Sequence, residues 1–439
     1  GENAFSWCKQ LQEIEITKDV NLKIIEKGCF YKTSIEKIII PTQVVRIEED
    51  AFSRCKKLQE VEFSSDSKLS VIGKGAFYKT SIEKIEIPTN VKQICENAFK
   101  ECKKLQEIII NDDSELEVIE KSAFSNTLIK RIKIPSKLSE LKEGWCQEMP
   151  LLHEVEISQD NRRYTLFENQ MIIGKTSIER NNYDCLILYL RKSDEINIPN
   201  FIEHIDAYSF ININQPFKIQ IPDDSKLQTI DNFTFYNTSI VSINIPPQIT
   251  TIGSNCFCDC KQLREIKFSK ESKLQNIDKE AFCRSSIEQI TIPSHVTHIG
   301  EGAFFFCSLL REVTIQNNPE FQIIESATFN RASIEKITIP SNVIQINDFS
   351  FYFCFRLQVV EFQSDSKLQK IGKNSFSHTS IVGISIPANV TQIDELAFSN
   401  CDKLQIFEIC EESKLESISK NAFTSSANVV FLIPVKLNM

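Results

Sequence analysis

Apolar and polar positions recur along the chain with a period of 47 residues. The string Ser34–Pro41 returns almost unchanged as Ser81–Pro88 and as Ser333–Pro340, with alternating isoleucines before each proline. Prolines keep the same count in two series, Pro41, Pro88 and Pro135, then Pro199, Pro246, Pro293, Pro340, Pro387 and Pro434. The two series lie 64 residues apart, which is one period plus 17 residues. The pattern therefore predicts a repeating architecture with a single insertion.

Each period contains two half-repeats of 22 to 25 residues, and the chain holds 18 of them. Each half-repeat starts with the pattern L-x-x-I-x-I, as at Leu11, Ile14 and Ile16, and continues to an alanine–phenylalanine pair such as Ala51–Phe52. The two isoleucines of I-x-I lie on one face of a strand, and β-branched residues suit strands stacked in parallel. This length and pattern are typical of leucine-rich repeats.

A single half-repeat is too small to bury its own apolar face, so stability has to come from stacking on its neighbours. We predict a leucine-rich repeat solenoid, a curved right-handed coil of about 18 rungs. A parallel β-sheet is expected on the concave face, short helical or 3-10 turns on the other face, and residues such as Phe52 as inward plugs. The predicted segments of this one continuous solenoid are 1–157, an irregular insertion at 158–195, and 196–439.

The repeat string is specific enough to resemble a known family. Ile85, Ile87 and Pro88, continued by Ala98–Phe99 and Cys102, resemble the BspA-like (Treponema-type) leucine-rich repeats. The Asp-Ser-Lys-Leu links and the wealth of isoleucine, lysine and asparagine are most similar to the trichomonad versions. The resemblance implies a surface protein without enzymatic activity, associated with adhesion to host cells, matrix proteins or other microbes.

The insertion is similar to the interrupting segment of that family. Asn161–Tyr164, Met171–Gly174 and Leu186–Tyr189 supply two apolar runs separated by a turn. We predict an irregular coil with a β-hairpin. Two interpretations stay open, a binding site at this irregularity and a spacer that changes curvature.

Composition and charge exclude several classes of function. Hydrophobic residues make up 41% and charged residues 25%, which is the balance of a chain that can bury a core. The net charge of −9 argues against a nucleic-acid partner, because such a partner requires a basic face. The longest apolar runs, as at 185–190, are far shorter than the ~20 residues that cross a bilayer, so this segment is not expected to insert into a membrane.

Most of the 15 cysteines occupy a structural position rather than a reactive one. Seven of them fill the same slot of the repeat, which Met149 and Ile213 fill in other periods, so the slot is apolar. Successive members lie two rungs, about 10 Å, apart, beyond the ~7 Å Cα separation that a disulfide allows. We predict buried free thiols at Cys8, Cys55, Cys102, Cys260, Cys307, Cys354 and Cys401.

Cys258 and Cys283 differ, because each directly follows a core phenylalanine and the two are equivalent positions on adjacent rungs. The spacing of the rungs allows a disulfide between them if curvature does not splay this edge, and two free thiols are the alternative. Three asparagines, Asn232, Asn237 and Asn389, stand in glycosylation sequons, although three is near chance in such a chain.

No chemistry-bearing constellation stands apart from the repeat. The five histidines are scattered, and the chain has no nucleophile elbow, phosphate-binding loop or dinucleotide fingerprint. We therefore predict no catalytic residues, no metal site and no cofactor.

The outward positions of the predicted concave sheet change character along the chain. The third position of L-x-x-I-x-I alternates in charge in the N-terminal half, as Glu13, Lys37, Glu60, Lys84, Glu107, Arg131 and Glu154. We expect these charges to pair across strands and leave no net field. The C-terminal half places Val359 and Ile406 there, with Thr291, Thr314 and Thr338 at the fifth position. This face is a candidate adhesive patch, and exposure beside missing rungs is the competing interpretation.

A second candidate surface is aromatic. Phe305, Phe306, Tyr352 and Phe353 stand where other repeats place small or polar residues after the core phenylalanine. Clustered aromatic side chains often anchor interfaces, and packing against the neighbouring turn is the alternative.

These observations together favour a binding module that attaches a microbial cell surface to a protein or glycan ligand on host or microbial surfaces. The alternative is an intracellular leucine-rich-repeat scaffold for protein–protein interaction in the cytoplasm, which free thiols suit equally well. The sequence leaves the identity of the ligand and the oligomeric state open.

Overall fold

The structure, a computed structural model, describes residues 1–16, 21–190, 193–213, 215–426 and 429–433. The last proline of the 47-residue count, Pro434, lies outside these residues. The chain folds as two compact units, unit 1 with residues 1–192 and 206–214 and unit 2 with residues 193–205 and 215–439. The predicted parallel-strand solenoid is confirmed, with about 18 coils in all. The boundaries predicted from the insertion, and a single continuous solenoid, stay predictions.

Two sets of strands alternate along the coils of unit 1. The long strands carry the I-x-I pattern and are β2 (Lys37–Ile40), β4 (Glu60–Phe63), β6 (Lys84–Ile87), β8 (Glu107–Ile110), β10 (Arg131–Ile134) and β12 (Glu154–Ile157). The short strands are β1 (Ile24–Ile25), β3 (Arg46–Ile47), β5 (Val71–Ile72), β7 (Gln93–Ile94), β9 (Val118–Ile119) and β11 (Glu140–Leu141). The fourth and sixth positions of the pattern point inward, whereas the third and fifth positions face outward, as burial alternates along Lys37–Ile40.

The segment with the predicted hairpin has antiparallel strands. They are β13 (Tyr164–Phe167), β14 (Met171–Gly174) and β15 (Cys185–Tyr189), with β13 pairing β14 and β14 pairing β15. Burial on both faces of β14 ties this segment to the core of unit 1.

Unit 2 repeats the same alternation. Its long strands are β16 (Glu195–Asn197), β18 (Phe217–Gln220), β20 (Ile240–Ile245), β22 (Glu265–Phe268), β24 (Gln289–Ile292), β26 (Glu312–Ile315), β28 (Lys336–Ile339), β30 (Val359–Phe362), β32 (Gly383–Ile386), β34 (Ile406–Ile409) and β36 (Val430–Leu432). Its short strands are β17 (His204–Ile205), β19 (Thr229–Ile230), β21 (Thr251–Ile252), β23 (Asn276–Ile277), β25 (His298–Ile299), β27 (Ile323–Ile324), β29 (Gln345–Ile346), β31 (Lys370–Ile371), β33 (Gln392–Ile393) and β35 (Ser417–Ile418).

The core of each unit contains a stack of phenylalanine rings from successive coils. In unit 1 the rings from Phe5 to Phe124 lie 5.2 to 5.5 Å apart between centroids and nearly parallel. In unit 2 the rings from Phe235 to Phe423 lie 5.0 to 5.5 Å apart in the same way. Most of these rings are fully buried, so each coil shields the phenylalanine of the next.

The predicted helical turns are wrong, because the described residues contain no helix and form hydrogen-bonded turns. In the turn around Phe52, the N–H groups of Ala51 and Ser53 donate back within the turn, to Glu48 and Asp50. The N–H of Phe52 instead donates to Ala76 of the next coil, at 2.8 Å. A helix would satisfy every N–H locally. Here alternate N–H groups link neighbouring coils, and residues at positive φ, such as Asp50 and Arg54, interrupt any helical progression.

The ladder of long strands is broken in unit 1, although the ladder of short strands is not. The six short strands β1 to β11 form one sheet, whereas the long strands pair only as β2–β4, β6–β8 and β10–β12. Paired strands are 23 residues apart, as from Lys37 to Glu60, and unpaired neighbours are 24 apart, as from Glu60 to Lys84. The extra residue therefore opens the long-strand face after every second coil.

Candidate functional site

The charged column of unit 1 follows this break. Lys37 contacts Glu60 at 3.1 Å and Glu62 at 2.8 Å, and Lys84 contacts Glu107 at 3.1 Å, all within hydrogen-bonded strand pairs. Among the described residues, no ion pair joins Glu60 to Lys84 across the break. The predicted pairing of third-position charges is thus found in β2–β4 and β6–β8. Within the part of the chain that the structure describes, it is not found between Arg131 and Glu154 of β10–β12, or between the strand pairs.

Clefts lie at the breaks of the long-strand face. One cleft of about 770 Å³ lies between β4 and β6 and is lined by Phe63, Pro88 and Asn111 among others. A second, of about 570 Å³, lies between β8 and β10. In unit 2 a cleft of about 420 Å³ lies between β22 and β24, the one place where its long-strand ladder stops within the described residues. Each of these clefts follows a spacing of 24 residues between long strands, but β34 and β36 are paired at the same spacing, so the spacing alone does not predict a cleft.

The long-strand face of unit 2 carries an apolar column, defined here as Val359, Gly383, Ile406 and Val430. These are register partners on successive strands from β30 to β36. Val359 is 39% exposed and Ile406 is 47% exposed. Val359 lies on β30 and Ile406 on β34, and each of these strands has a described strand on both sides. The two side chains therefore face solvent without lying on an edge strand of the sheet.

Of the three predicted threonines, only Thr338 lies on a strand next to the apolar column. Thr291 and Thr314 are exposed register partners on β24 and β26. Thr338 is half-buried and donates to Glu361 at 3.3 Å. Hydrogen bonding from Lys336, at 2.6 Å, lowers the pKa of Glu361 below its ordinary value. The carboxylate of Glu361, next to the apolar column, is therefore held in an ion pair with Lys336.

The aromatic candidates form two groups linked by an arginine. The guanidinium of Arg331 lies 5.5 Å from the ring centre of Phe306 and 5.0 Å from that of Phe353. Phe353 stacks on His378 at 4.1 Å and meets Tyr352 edge-on at 4.4 Å. These contacts support packing between neighbouring turns for Tyr352 and Phe353, which are half-buried, as is Phe305.

Two aromatic rings on this surface stay exposed. Phe306 is 40% exposed and Phe355 is 63% exposed. The surface therefore offers a partner two rings and the cation that lies between Phe306 and Phe353.

The cysteine slot is buried in six of its seven occurrences. In this slot Cys102 donates to the carbonyl of Phe77 in the preceding coil, at 3.0 Å, and burial raises its pKa to about 11. The prediction of burial is wrong for Cys8, which is exposed. The slot is covered from the preceding coil, as Cys102 shows, and no described coil precedes Cys8.

Cys258 and Cys283 are both buried, and neither forms a disulfide in the structure. A hydrogen bond between the two side chains raises the pKa of Cys258, while the same bond lowers the pKa of Cys283. The geometry brings the pair together, and the disulfide stays a prediction.

The sequons differ in their surroundings. Asn232 and Asn237 lie on the exposed surface. The side-chain amide of Asn389 donates to the carbonyl of Ser366 at 2.8 Å and accepts a hydrogen bond from Lys414 at 2.9 Å. A glycan at Asn389 would be attached to the nitrogen that donates to Ser366.

The described part of the chain contains no cluster of histidine, cysteine or carboxylate side chains that could hold a metal ion. It also contains no helix long and apolar enough to cross a membrane.

Comparison with known proteins agrees with the repeat. A family model described as BspA type leucine rich repeat region (6 copies) matches residues 1–72, 70–185, 176–311 and 322–437. The solved structure of the pneumococcal vaccine antigen PcpA is similar, with 18% identity, 94% of this chain and 85% of that chain covered, and a TM-score of 0.55. A leucine-rich repeat protein from Eubacterium ventriosum shares 19% identity over 91% of this chain and 82% of that chain, with a TM-score of 0.48. No curated protein sequence matches this chain.

Proposed function

The chain belongs to the family of BspA-type leucine-rich repeat regions, and from that premise we propose that it is a non-enzymatic adhesion module. It attaches a microbial cell surface to host cells, matrix proteins or other microbes through a protein or glycan ligand. Leucine-rich repeats of this kind present long surfaces built from outward positions, which can vary without disturbing the core.

The apolar column carries this proposal. Aliphatic side chains that stand exposed on a hydrogen-bonded sheet lose ordered water when a partner covers them, which favours association. Val359 and Ile406 are flanked by strands on both sides, so the competing explanation, exposure at an unfinished end, does not account for them.

Location at the cell surface is part of the proposal. The similar pneumococcal structure is that of a vaccine antigen, which supports a surface role for this chain too. The alternative, a cytoplasmic scaffold, is favoured by one observation: the described cysteines are all free thiols. Mass mapping of the native protein separates the two, because a bridge between Cys258 and Cys283 or a glycan at Asn237 requires export.

The test replaces the two aliphatic side chains together, as Val359→Glu with Ile406→Glu. Both side chains point to solvent, so the variant should keep its far-UV circular dichroism spectrum and melting temperature. Adhesion to cells or matrix should fall at least roughly tenfold, because a charge now has to be desolvated at the contact.

The matched control is Ile39→Glu, which places the same charge on the long-strand face of unit 1, at a side chain that is 49% exposed. This control should adhere normally. Normal adhesion of a folded double variant would exclude the apolar column, and equal loss in both variants would show a general effect of charge.

A further inference from the structure

One edge of unit 1 is strongly basic, although the whole chain carries a net charge of −9. We call this the basic edge; it consists of the turns that follow the core phenylalanines in the first five coils, residues 5–11, 30–35, 52–58, 77–82 and 99–105. These turns hold nine cations and a single anion, Glu101. The cations are Lys9, Lys32, Arg54, Lys56, Lys57, Lys79, Lys100, Lys103 and Lys104.

The equivalent turns of unit 2 differ sharply. From residue 235 to residue 404 they hold five cations and two anions spread over eight turns. The concentration of charge therefore belongs to unit 1 and does not follow from the repeat itself.

Backbone contacts place these turns directly on one another. The N–H of Lys32 donates to Ser53 at 3.0 Å, and the N–H of Lys79 donates to Lys100 at 3.0 Å. With coils about 4.8 Å apart, the five turns span roughly 20 Å. The lysine doublet at positions 56 and 57 recurs at positions 103 and 104, two coils or about 10 Å further on.

Little of this charge is neutralised within the protein. Glu101 pairs with Lys79 at 3.1 Å. Lys57 and Lys104 reach carboxylates only at 3.6 Å and on the exposed surface, where ion pairs are weak. Among the described residues, Lys56, Lys100 and Lys103 have no carboxylate within salt-bridge distance.

We infer that the basic edge binds a linear anionic glycan, a chain whose sulfate or carboxylate groups recur along its length. This assignment rests on the proposed function, since such glycans are what an exposed adhesion module meets on cells and matrix. A narrow column of cations matches a linear polymer, and the two-coil recurrence of the doublets matches a polymer whose charges repeat with each disaccharide. Lysines act as hydrated point charges, which suits sulfate groups in varied orientations.

A single-stranded nucleic acid fits this edge less well. Its binding sites combine cations with aromatic rings on which bases stack. The two tyrosines of the edge, Tyr31 and Tyr78, are half-buried, and Lys32 and Lys79 lie 5.2 and 5.0 Å from their ring centres. Trp7, in the first of these turns, is 55% exposed, yet Lys32 lies 3.6 Å from its ring centre. Each of these three rings is therefore already in contact with one of the protein's own cations.

The test uses the intact purified protein and immobilised heparin, a sulfated linear glycan, at about 0.15 M salt. The variant Lys103→Gln with Lys104→Gln should bind heparin roughly 25-fold more weakly, because each lysine near an anionic surface strengthens binding about fivefold. The matched control is Lys261→Gln with Lys403→Gln, which removes two charges from equivalent turns of unit 2 and should bind as the wild type does.

Other results would overturn the assignment. These are no heparin binding by the wild type, equal weakening in the control, or tighter binding to single-stranded DNA or to anionic phosphatidylserine vesicles than to heparin. The assay needs no cells, so its failure is distinct from that of adhesion through the apolar column. The variant with Val359→Glu and Ile406→Glu should bind heparin normally.

Discussion

The long-strand faces of the two units share one pattern and differ in pairing and charge. In unit 1 the strands pair in twos, and lysine–glutamate contacts follow that pairing. In unit 2 seven strands from β24 to β36 form one sheet that carries the apolar column. The core phenylalanines are stacked alike in both, so outward positions and half-repeat length can change while the core stays constant.

The same extra residue has different consequences in the two units. Between β18 and β20 a register shift at Phe217 and Lys218 absorbs it, and between β30 and β32 one register pair, Val359 with Gly383, survives. At the break between β4 and β6 the fifth positions are Glu62 and Glu86, and two like charges disfavour close strands. At the break between β8 and β10 they are Ile109 and Lys133, so like charge does not account for that break.

The largest effect on the free energy of unfolding should come from removing a core phenylalanine, and it should be equal in the two units. Unequal effects would show that the two cores are not equivalent. Phe99→Ala in unit 1 and Phe282→Ala in unit 2 each remove a fully buried ring from a stack, at a cost of about 3 to 5 kcal/mol in the free energy of unfolding. Chemical denaturation followed by fluorescence or circular dichroism measures this. Phe355→Ala, at an exposed ring, is the control and should change little.

Amide hydrogen exchange should reveal the break in unit 1 directly. The N–H of Gln106 donates to the carbonyl of Glu83, so odd-numbered residues of β6 face β8 and the amides of Lys84 and Glu86 face the cleft. These two amides should exchange roughly a hundredfold faster than that of Ile85.

The matched position in unit 2 is Ser242, which has register partners on both neighbouring strands. Its amide should be protected. Equal protection at Lys84 and Ser242 would show that the unit 1 strands are closed in solution.

A smaller effect on the free energy of unfolding should appear at alkaline pH, where the buried cysteines ionise. Burial raises the pKa of Cys307 to about 12 and that of Cys102 to about 11, from an ordinary value of 9.0. Above pH 9 the unfolded chain loses these protons first, so the folded state binds more protons and the free energy of unfolding falls as pH rises. Each cysteine accounts for a loss of about 1.4 kcal/mol by pH 10.

Cys307→Val should flatten this decline between pH 9 and 12, and Cys102→Val should flatten it only to about pH 11. Denaturant titrations at stepped pH measure the difference. Cys8→Val, at an exposed thiol, provides the control, and identical slopes in all the variants would contradict the assignment.

Sequence periodicity was sufficient for the strands and the core, because inward positions are constrained alike in every coil. It placed Phe52 and Cys55 correctly in the interior. It failed for the turns, because alternate N–H groups there donate to the next coil. The helix or turn propensity of single residues does not indicate such a contact between coils. It also predicted that the charges from Glu13 to Glu154 pair along one continuous ladder. The charges alternate in the same way whether two strands are 23 or 24 residues apart, so their order in the sequence does not show where the ladder is interrupted.

The pairing of long strands in twos also sets how unit 1 should respond to a tensile load. Under a pulling force along the chain, the seams without long-strand hydrogen bonds, such as that between β4 and β6, should offer the least resistance. We expect extension to proceed by whole periods of 47 residues rather than by single coils. Each yielding step would release about 160 Å of extended chain and so limit the peak force on the bound partner.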